Sequence, residues 1–199
     1  MELGLIKNYK KWLFLLPLVL FIIDFILIKT GLIISIDQFV YHFLCNLKNP
    51  VITKIFILIT NLGDLIGISA VIVLIFIFNR KFALKCILLS VLQFLINAVL
   101  KYIFKRPRPN VEHLVNVSNY SFPSGHAMAI SCLYALIIYY LYHSKCRYRY
   151  LLIFICIGII VLVDLSRVYL GVHYFSDVFA GTMISISLVM YVTSRATFI

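Results

Sequence analysis

Three short segments of the chain carry side chains suited to phosphate chemistry. Residues 101–109 contain a lysine, six further residues and then Arg-Pro. Residues 123–126 read Pro-Ser-Gly-His, and residues 166–177 read Ser-Arg, five residues, His, three residues and Asp. Phosphoryl transfer needs cations around the phosphate oxygens, an in-line nucleophile and an acid at the leaving oxygen. The three segments together supply these parts and predict a phosphate site.

The cations of these segments are Lys101, Arg108 and Arg167. Arginine presents a planar fork that matches phosphate oxygens, and lysine adds a point charge. Cations at the ends of membrane helices also serve as topology anchors or snorkel to the interface. For any one of the three the two interpretations are equally good, and it is the convergence of all the segments that favours phosphate binding.

The segment from Ser124 to His126 lies where an apolar run begins. A proline followed by serine suits the start of a helix, and Gly125 lets a backbone approach a ligand closely. Free N–H groups at a helix N-terminus bind phosphate readily. Taken alone, the segment is better explained by helix capping, with His126 as an interfacial histidine.

His173 and Asp177 are four residues apart at the start of the last apolar run. On a helix this spacing puts both side chains on one face. The carboxylate then accepts the proton of one imidazole nitrogen and leaves the other as a nucleophile. The alternative is a stabilising i,i+4 pair, which is less satisfactory because an ionisable pair near lipid needs a reason.

The composition predicts an all-α, polytopic membrane protein. The 199 residues are 63% hydrophobic and have a mean hydropathy of +1.06, whereas soluble domains are roughly 45–50% apolar. A crossing takes about 20 apolar residues, so we predict a single integral membrane domain over 1–199 with six transmembrane helices. The apolar runs are 12–29, 52–78, 82–103, 124–142, 150–167 and 175–194.

The formal charge of +11 is spread over the ends of these runs. A soluble basic stripe is missing, which argues against nucleic acid as a partner. Once the cations of the phosphate site are set aside, the positive-inside rule places both termini in the cytoplasm. The loops 30–49, 104–121 and 168–174 then face outward, and 36–47 has the spacing of a helix lying in the interface. Whether 36–47 and 52–62 lie on or in the membrane stays open.

Other polar residues carry simpler interpretations. Three carboxylates lie in or near apolar runs: Asp24, Asp64 and Asp164. Asp164 precedes Arg167 by three residues, so we predict that it pairs with that arginine. Lys105 and Arg106 are predicted to attract anionic groups rather than to act in catalysis. The five cysteines are predicted to be structural, with no disulfide or zinc site.

On these residues the sequence resembles the type 2 phosphatidic acid phosphatase (PAP2) superfamily. Its three signature motifs are similar to 101–109, 123–126 and 166–177, and 166–181 is a particularly close match. All eleven specified positions are present. The superfamily includes bacterial lipid phosphatases and the vanadium haloperoxidases, so the resemblance implies a haloperoxidase-like helical core.

The resemblance also implies residue roles. His173 attacks phosphorus and forms a phosphohistidine, while Asp177 orients His173. His126 protonates the leaving oxygen and then activates water. The resemblance implies that neither a metal nor another cofactor is needed. The phosphate-holding residues would be Lys101, Arg108, Ser124, Gly125 and Arg167.

The substrate expected from the resemblance is a lipid phosphate or diphosphate, reached from the outer leaflet of the cell membrane. Undecaprenyl diphosphate is favoured because an outward site suits recycling of a carrier released on that side. Phosphatidylglycerophosphate and phosphatidic acid are the alternatives. Two other classes stay open, a haloperoxidase and a non-catalytic lipid-phosphate-binding or transport protein. The oligomeric state is not indicated.

Overall fold

The fold of the chain, in a computed structural model, is described for residues 12–195. This part contains eight α-helices, one 3-10 turn and no strand. In chain order the helices are α1 (Leu15–Thr30), α2 (Ile34–Cys45), α3 (Pro50–Thr60), α4 (Leu65–Phe78), α5 (Arg80–Phe104), α6 (Gly125–His143), α7 (Arg149–Tyr169) and α8 (Phe175–Arg195), and the 3-10 turn spans Asn61–Gly63 between α3 and α4. The cations 7, 10 and 11, which helped to place the N-terminus in the cytoplasm, lie outside the described residues.

Four helices, α5 to α8, are each long and apolar enough to cross a membrane. The pairs α1 with α2 and α3 with α4 also qualify when each is taken as one bent unit, with bends of 97° and 58°. The described chain therefore offers four to six spans, and the predicted all-α membrane fold is confirmed. The run 52–78 differs from the prediction in detail, because residues 61–64 break it.

Many large apolar side chains point outward from the bundle. On α4, Leu65, Ile66 and Phe78 are 82–84% exposed. Apolar surface of this extent is not stable against water, but it is the expected surface against lipid. The outward faces of the helices thus identify the chain as a multi-pass membrane protein.

Helix α6 lies at the centre of the bundle and packs against α5, α7 and α8. Its buried Ile130, Leu133 and Leu136 belong to the main hydrophobic core, together with Val163 of α7 and Val189 of α8. The helices that carry the three sequence motifs are thereby packed against one another, with the motif residues at one end of the bundle.

Helix α3 begins with a well-formed cap. Asn49 accepts hydrogen bonds from the backbone N–H groups of Val51 and Ile52 at 3.0 and 2.9 Å, and Pro50 occupies the first helical position. This combination is typical of a helix start, since proline has no N–H to leave unsatisfied. It separates α3 from α2 and directs α3 toward α7, against which it packs.

Candidate active site

A cavity of about 250 Å³ lies between the C-terminal ends of α5 and α7 and the N-terminal end of α6, near the connection between α7 and α8. Of the eight predicted site residues, six line it. Asp177 lies behind His173, and Ser124 is fully buried. The lining residues are Asn97, Lys101, Arg108, Asn116, Val117, Ser118, Asn119, Gly125, His126, Arg167 and His173.

Two loops close this end of the bundle. Gly171 has a φ of +75°, and a Cβ atom there would lie 2.5 Å from the carbonyl oxygen of Glu112. Only glycine fits this close approach of the loop 105–124 to the loop 170–174. Nearby, the N–H of Leu114 donates to the carbonyl of Leu170 at 3.0 Å. These contacts bring the first and third motif segments to the same cavity.

The three predicted phosphate-binding cations meet in the cavity without an acidic partner. Within residues 12–195 the structure pairs none of Lys101, Arg108 and Arg167 with a carboxylate. Arg167 donates to Thr60 Oγ1 at 2.7 Å, and its buried Nε has no hydrogen-bond partner among the described residues. Three cations collected in this way form a strong site for an anion.

Asn119 holds two of these cations in place. Its Oδ1 accepts from Arg108 Nη2 at 3.0 Å and from Lys101 Nζ at 3.4 Å, and its carbonyl accepts from Arg108 Nε at 3.0 Å. Lys101 also donates to the carbonyl of Tyr120. Partial burial lowers the pKa of Arg108, which nevertheless stays a cation at neutral pH. Asn119 was not predicted, because no periodicity marks it within the long loop.

His173 and Asp177 form a buried pair. Asp177 Oδ2 lies 3.4 Å from His173 Nδ1, and the two side chains are 2% and 0% exposed. On the other side of the ring, His173 Nε2 lies 3.4 Å from Arg108 Nη1. Burial lowers the pKa of His173 to about 3, although Asp177 opposes this shift. The imidazole is therefore neutral at physiological pH, with Nε2 available as a nucleophile.

The carboxylate of Asp177 is held by several donors. Arg106 Nη1 donates to Oδ1 at 2.7 Å, and the N–H of Tyr174 donates to Oδ2 at 2.9 Å. The hydroxyl of Ser121 also donates to Oδ2. A carboxylate that accepts this many hydrogen bonds stays ionised and keeps a fixed orientation. Arg106 thus holds Asp177 in place, a contact that the sequence did not predict.

The same network reaches α2 through Asp37. The second guanidinium nitrogen of Arg106 contacts Asp37 Oδ2 at 2.9 Å. Asp37 also accepts from the N–H of Ser176 at 2.8 Å and from its hydroxyl at 2.7 Å. Asp37 is only 4% exposed. The signal available in the sequence was a lone carboxylate within the apolar pattern of residues 34–45.

His126 has a carboxylate partner of its own. Its Nε2 lies 2.7 Å from Asp64 Oδ1, and the two side chains are 22% and 47% exposed. Asp64 immediately precedes α4, at the break of the second apolar run. The sequence marked it only as an ionisable group near a membrane run, because nothing in the spacing connects it to His126.

Two further predicted residues lie elsewhere than expected. The hydroxyl of Ser124 accepts from the N–H of Ala127 at 3.5 Å, and its own N–H donates to the carbonyl of Asp177 at 3.0 Å. Ser124 therefore joins α6 to α8 from behind the cavity. The predicted pairing of Asp164 with Arg167 is wrong, because Asp164 accepts instead from Thr182 Oγ1 of α8 at 2.7 Å.

The fold and the cavity define a class: an all-helical membrane protein with a phosphate-type anion site beside a neutral, buried histidine. The sequence model of the PAP2 superfamily matches residues 81–197. The chain belongs to this superfamily, and it is a PAP2 lipid phosphatase, a hydrolase that acts on lipid phosphate esters.

Two relatives of known activity show the range of the superfamily. Phosphatidylglycerophosphatase B of Bacillus subtilis is 35% identical over 182 residues, which cover 83% of this chain and 87% of that protein. Undecaprenyl-diphosphatase of Sulfolobus acidocaldarius is 33% identical over 119 residues, which cover 56% of this chain and 53% of the relative. The two names belong to enzymes with different lipid substrates.

Two solved structures share the architecture. The crystal structure of a transmembrane PAP2 type phosphatidylglycerolphosphate phosphatase from Bacillus subtilis matches with a TM-score of 0.81 at 30% identity, covering 92% of this chain and 94% of that one. The crystal structure of Aquifex aeolicus LpxE matches with a TM-score of 0.64 at 24% identity, covering 77% and 91%. The second likeness concerns the fold alone.

Proposed function

We propose that this chain hydrolyses a lipid phosphate monoester or diphosphate through a phosphohistidine on His173, at the outward face of the cell membrane. One observation carries the proposal. The neutral Nε2 of His173 borders the same cavity as three cations that have no acidic partner within the described residues. A phosphate held by those cations has the nucleophile beside it.

In the first step His173 Nε2 attacks phosphorus, and the bond from phosphorus to the leaving oxygen breaks. A proton from His126 passes to that oxygen, so the lipid leaves as an alcohol or as a monophosphate. Lys101, Arg108 and Arg167 stabilise the negative charge on the equatorial oxygens. Asp177 stabilises the charge that develops on the His173 ring, by the logic of the hydrolase triads.

In the second step water attacks the phosphohistidine. His126, now neutral, takes a proton from the water as the new bond to phosphorus forms and the bond to His173 Nε2 breaks. Inorganic phosphate leaves, and both histidines return to their starting protonation states. In both steps His126 is the group that gives or takes the proton. The three cations of the cavity neutralise the charge of the phosphate.

The position of the cavity suits a substrate that stays in the bilayer. The site lies at the ends of apolar helices rather than at their middle, so a headgroup reaches it while the tails remain in lipid. We place this end outside the cell and the termini inside, on the distribution of Lys and Arg between the loops.

Phosphatidylglycerophosphate is the substrate that the relatives favour. A relative that covers 83% of this chain is a phosphatidylglycerophosphatase, and so is the structure with a TM-score of 0.81. Undecaprenyl diphosphate is the second candidate, supported by the shorter match to an undecaprenyl-diphosphatase. The resemblance and the expected outward site favoured undecaprenyl diphosphate, and we now rank it second because its supporting match covers less of the chain. Phosphatidic acid is the third.

The proposal is tested with purified protein in one detergent. Phosphate release is measured from the three lipids at equal mole fraction, and kcat/KM ranks them. Wild type is compared with His173→Ala and with His143→Ala, a matched control whose histidine is exposed at the opposite end of α6. We expect His143→Ala to keep wild-type activity and His173→Ala to lose it. Full activity of His173→Ala, or no release from any of the lipids by wild type, contradicts the proposal.

A further inference from the structure

The contact between His126 and Asp64 joins two segments that no motif connects. The atoms His126 Nε2 and Asp64 Oδ1 lie 2.7 Å apart, which is a short distance for a hydrogen bond between nitrogen and oxygen and is typical of charge-assisted pairs. Asp64 precedes α4, whereas His126 lies in the first turn of α6. The contact therefore depends on the tertiary fold.

Asp64 binds His126 rather than capping the helix that follows it. It occupies the N-cap position of α4, yet its side chain makes no capping hydrogen bond. Aspartate is among the best N-cap residues, and a cap stabilises a helix by about 1 kcal/mol. Here the carboxylate points to the histidine instead, so helix capping does not explain the residue.

Gly63, the residue before Asp64, leaves space for the His126 side chain. A Cβ atom at Gly63 would lie 3.2 Å from His126 Cδ2 and 3.3 Å from His126 Cβ. A larger residue at position 63 would crowd both the imidazole and Val163 Cγ1, which would lie 3.1 Å from the added Cβ atom. The 3-10 turn thus provides both the space for the ring and, one residue later, the carboxylate that holds it.

We infer that Asp64 is the positioning residue of the proton-transfer histidine. It accepts the Nε2–H of His126 and so leaves Nδ1 as the nitrogen that gives and takes the proton. This inference rests on the proposed function, in which His126 is the acid and base. It adds a second histidine–carboxylate pair to a mechanism whose motifs contain only one.

The charges around His126 explain why it needs a carboxylate. Arg167 of α7 and Arg108 of the loop 105–124 border the same cavity as His126, and nearby positive charges disfavour a protonated imidazole. Asp64 is the charged group that favours it. When His126 gives its Nδ1 proton to the leaving oxygen, the Nε2–H bond to Asp64 stays in place. The neutral ring that remains has its free electron pair on Nδ1, ready for the water of the second step.

The test compares leaving groups. A general acid matters most when the leaving oxygen is strongly basic. The two substrates are octyl phosphate, whose alkoxide leaves poorly without a proton, and 4-nitrophenyl phosphate, whose phenolate leaves readily. The readout is kcat/KM, which covers the steps through cleavage of the substrate bond. We expect Asp64→Ala to lower kcat/KM roughly 30-fold for octyl phosphate and by a much smaller factor for the aryl ester.

Asp37→Asn is the matched control. It also removes a carboxylate that contacts the site network, but on the side of His173 through Arg106. Its defect should be similar for both substrates, because the nucleophile acts on each of them. Equal defects of Asp64→Ala on the two substrates, or none, would overturn the inference.

A second variant separates the charge of Asp64 from its hydrogen bond. Asp64→Asn still accepts the Nε2–H but no longer stabilises the imidazolium. The alkaline limb of the pH dependence of kcat/KM should then move to lower pH by about one unit. An unmoved limb contradicts the inference. If wild type released no phosphate from any lipid or ester, the proposed function would fail first, so the two failures are distinguishable.

Discussion

Residues 12–195 contain two histidine–carboxylate pairs, and the two are built differently. His173 lies in the loop 170–174 and Asp177 in the first turn of α8, four residues later, and their side chains are 2% and 0% exposed. His126 lies in the first turn of α6, whereas Asp64 lies between the 3-10 turn and α4, and their side chains are 22% and 47% exposed. In the proposed mechanism the first pair holds the nucleophile, whose nitrogen must not be protonated, and burial favours the neutral ring by lowering the pKa of His173. The second handles protons that enter and leave with water, so partial exposure suits it.

The two pairs also use opposite ring nitrogens. In the buried pair Nδ1 faces the carboxylate and Nε2 borders the cavity. In the exposed pair Nε2 faces the carboxylate. The nitrogen that each histidine offers to the phosphate is set by the carboxylate that binds the other one. The buried pair is therefore specified by residues close together in one motif, whereas the exposed pair depends on the tertiary fold.

The largest expected effect is the loss of activity in variants of the two histidines, and its size should distinguish the nucleophile from the acid. His173→Ala should lose about 10⁵-fold or more in turnover of every substrate. His126→Ala should lose about 10³-fold with alkyl phosphates. With 4-nitrophenyl phosphate, His126→Ala should accumulate a phosphoenzyme, since the first step then needs little acid while the second still lacks its base.

Acid-labile phosphate on the protein, measured after a rapid quench, checks this prediction. Label on His126→Ala that is absent from His173→Ala is the expected pattern. Label that persists in His173→Ala would assign the nucleophile to another residue and remove the distinction between the two pairs.

The next effect tests the support of the buried pair. Arg106→Gln leaves Asp37 and Asp177 buried without their shared cation. Breaking a buried ion pair on one side destabilises by about 3 kcal/mol, so the melting temperature in detergent should fall by several degrees. Activity should fall as well, because Asp177 loses a hydrogen bond. A matched change at the neighbouring residue, Lys105→Gln, should leave both properties near wild type.

A smaller effect concerns pH. The pKa of His173 is lowered from 6.5 to about 3 by burial, so the unfolded chain binds its proton at a higher pH than the folded chain does. The resulting stability is fully present above about pH 6.5 and is lost as the pH falls toward 3. The melting temperature of wild type should decrease over this window. His173→Gln should decrease less, and a parallel decrease in both proteins would contradict this assignment.

The smallest expected effect is that of metal removal. Three cations border the phosphate cavity, and they provide the charge stabilisation that a divalent ion supplies in many phosphatases. Activity after EDTA treatment should stay within about twofold of the untreated enzyme. Activity that disappears and returns on addition of Mg²⁺ would show that both pairs act beside a metal.

The sequence predicted the helices and most of the cavity for definite reasons. Apolar runs determine helices in a bilayer. The four-residue spacing also predicted the contact between His173 and Asp177, although His173 lies in the loop before α8 and only Asp177 belongs to its first turn. The sequence did not predict contacts that need the tertiary fold, such as that between Asp37 and Ser176, which are 139 residues apart. The pairing of Asp164 with Arg167 failed because Thr182, on the neighbouring helix, binds Asp164 instead.

In the loop 105–124, the spacing of residues in the sequence does not predict where their side chains point. Arg106 and Arg108 are two residues apart, yet one supports Asp177 and the other borders the phosphate cavity. Lys105, in the left-handed conformation at the end of α5, turns the chain away from the helix just before them. The directions of the two arginines depend on this turn, which no hydrophobic period encodes.

Lys101, Arg108 and Arg167 have no acidic partner in the part of the chain that the structure describes, and this affects how lipids compete for the cavity. Most phospholipid headgroups are phosphodiesters with one negative charge, whereas a terminal phosphate monoester carries up to two. A triply cationic cavity stabilises the dianion more than the monoanion, since the attraction scales with the ligand charge. If the cavity holds the phosphate as proposed, a rare monoester can therefore compete for it against a large excess of diester lipids.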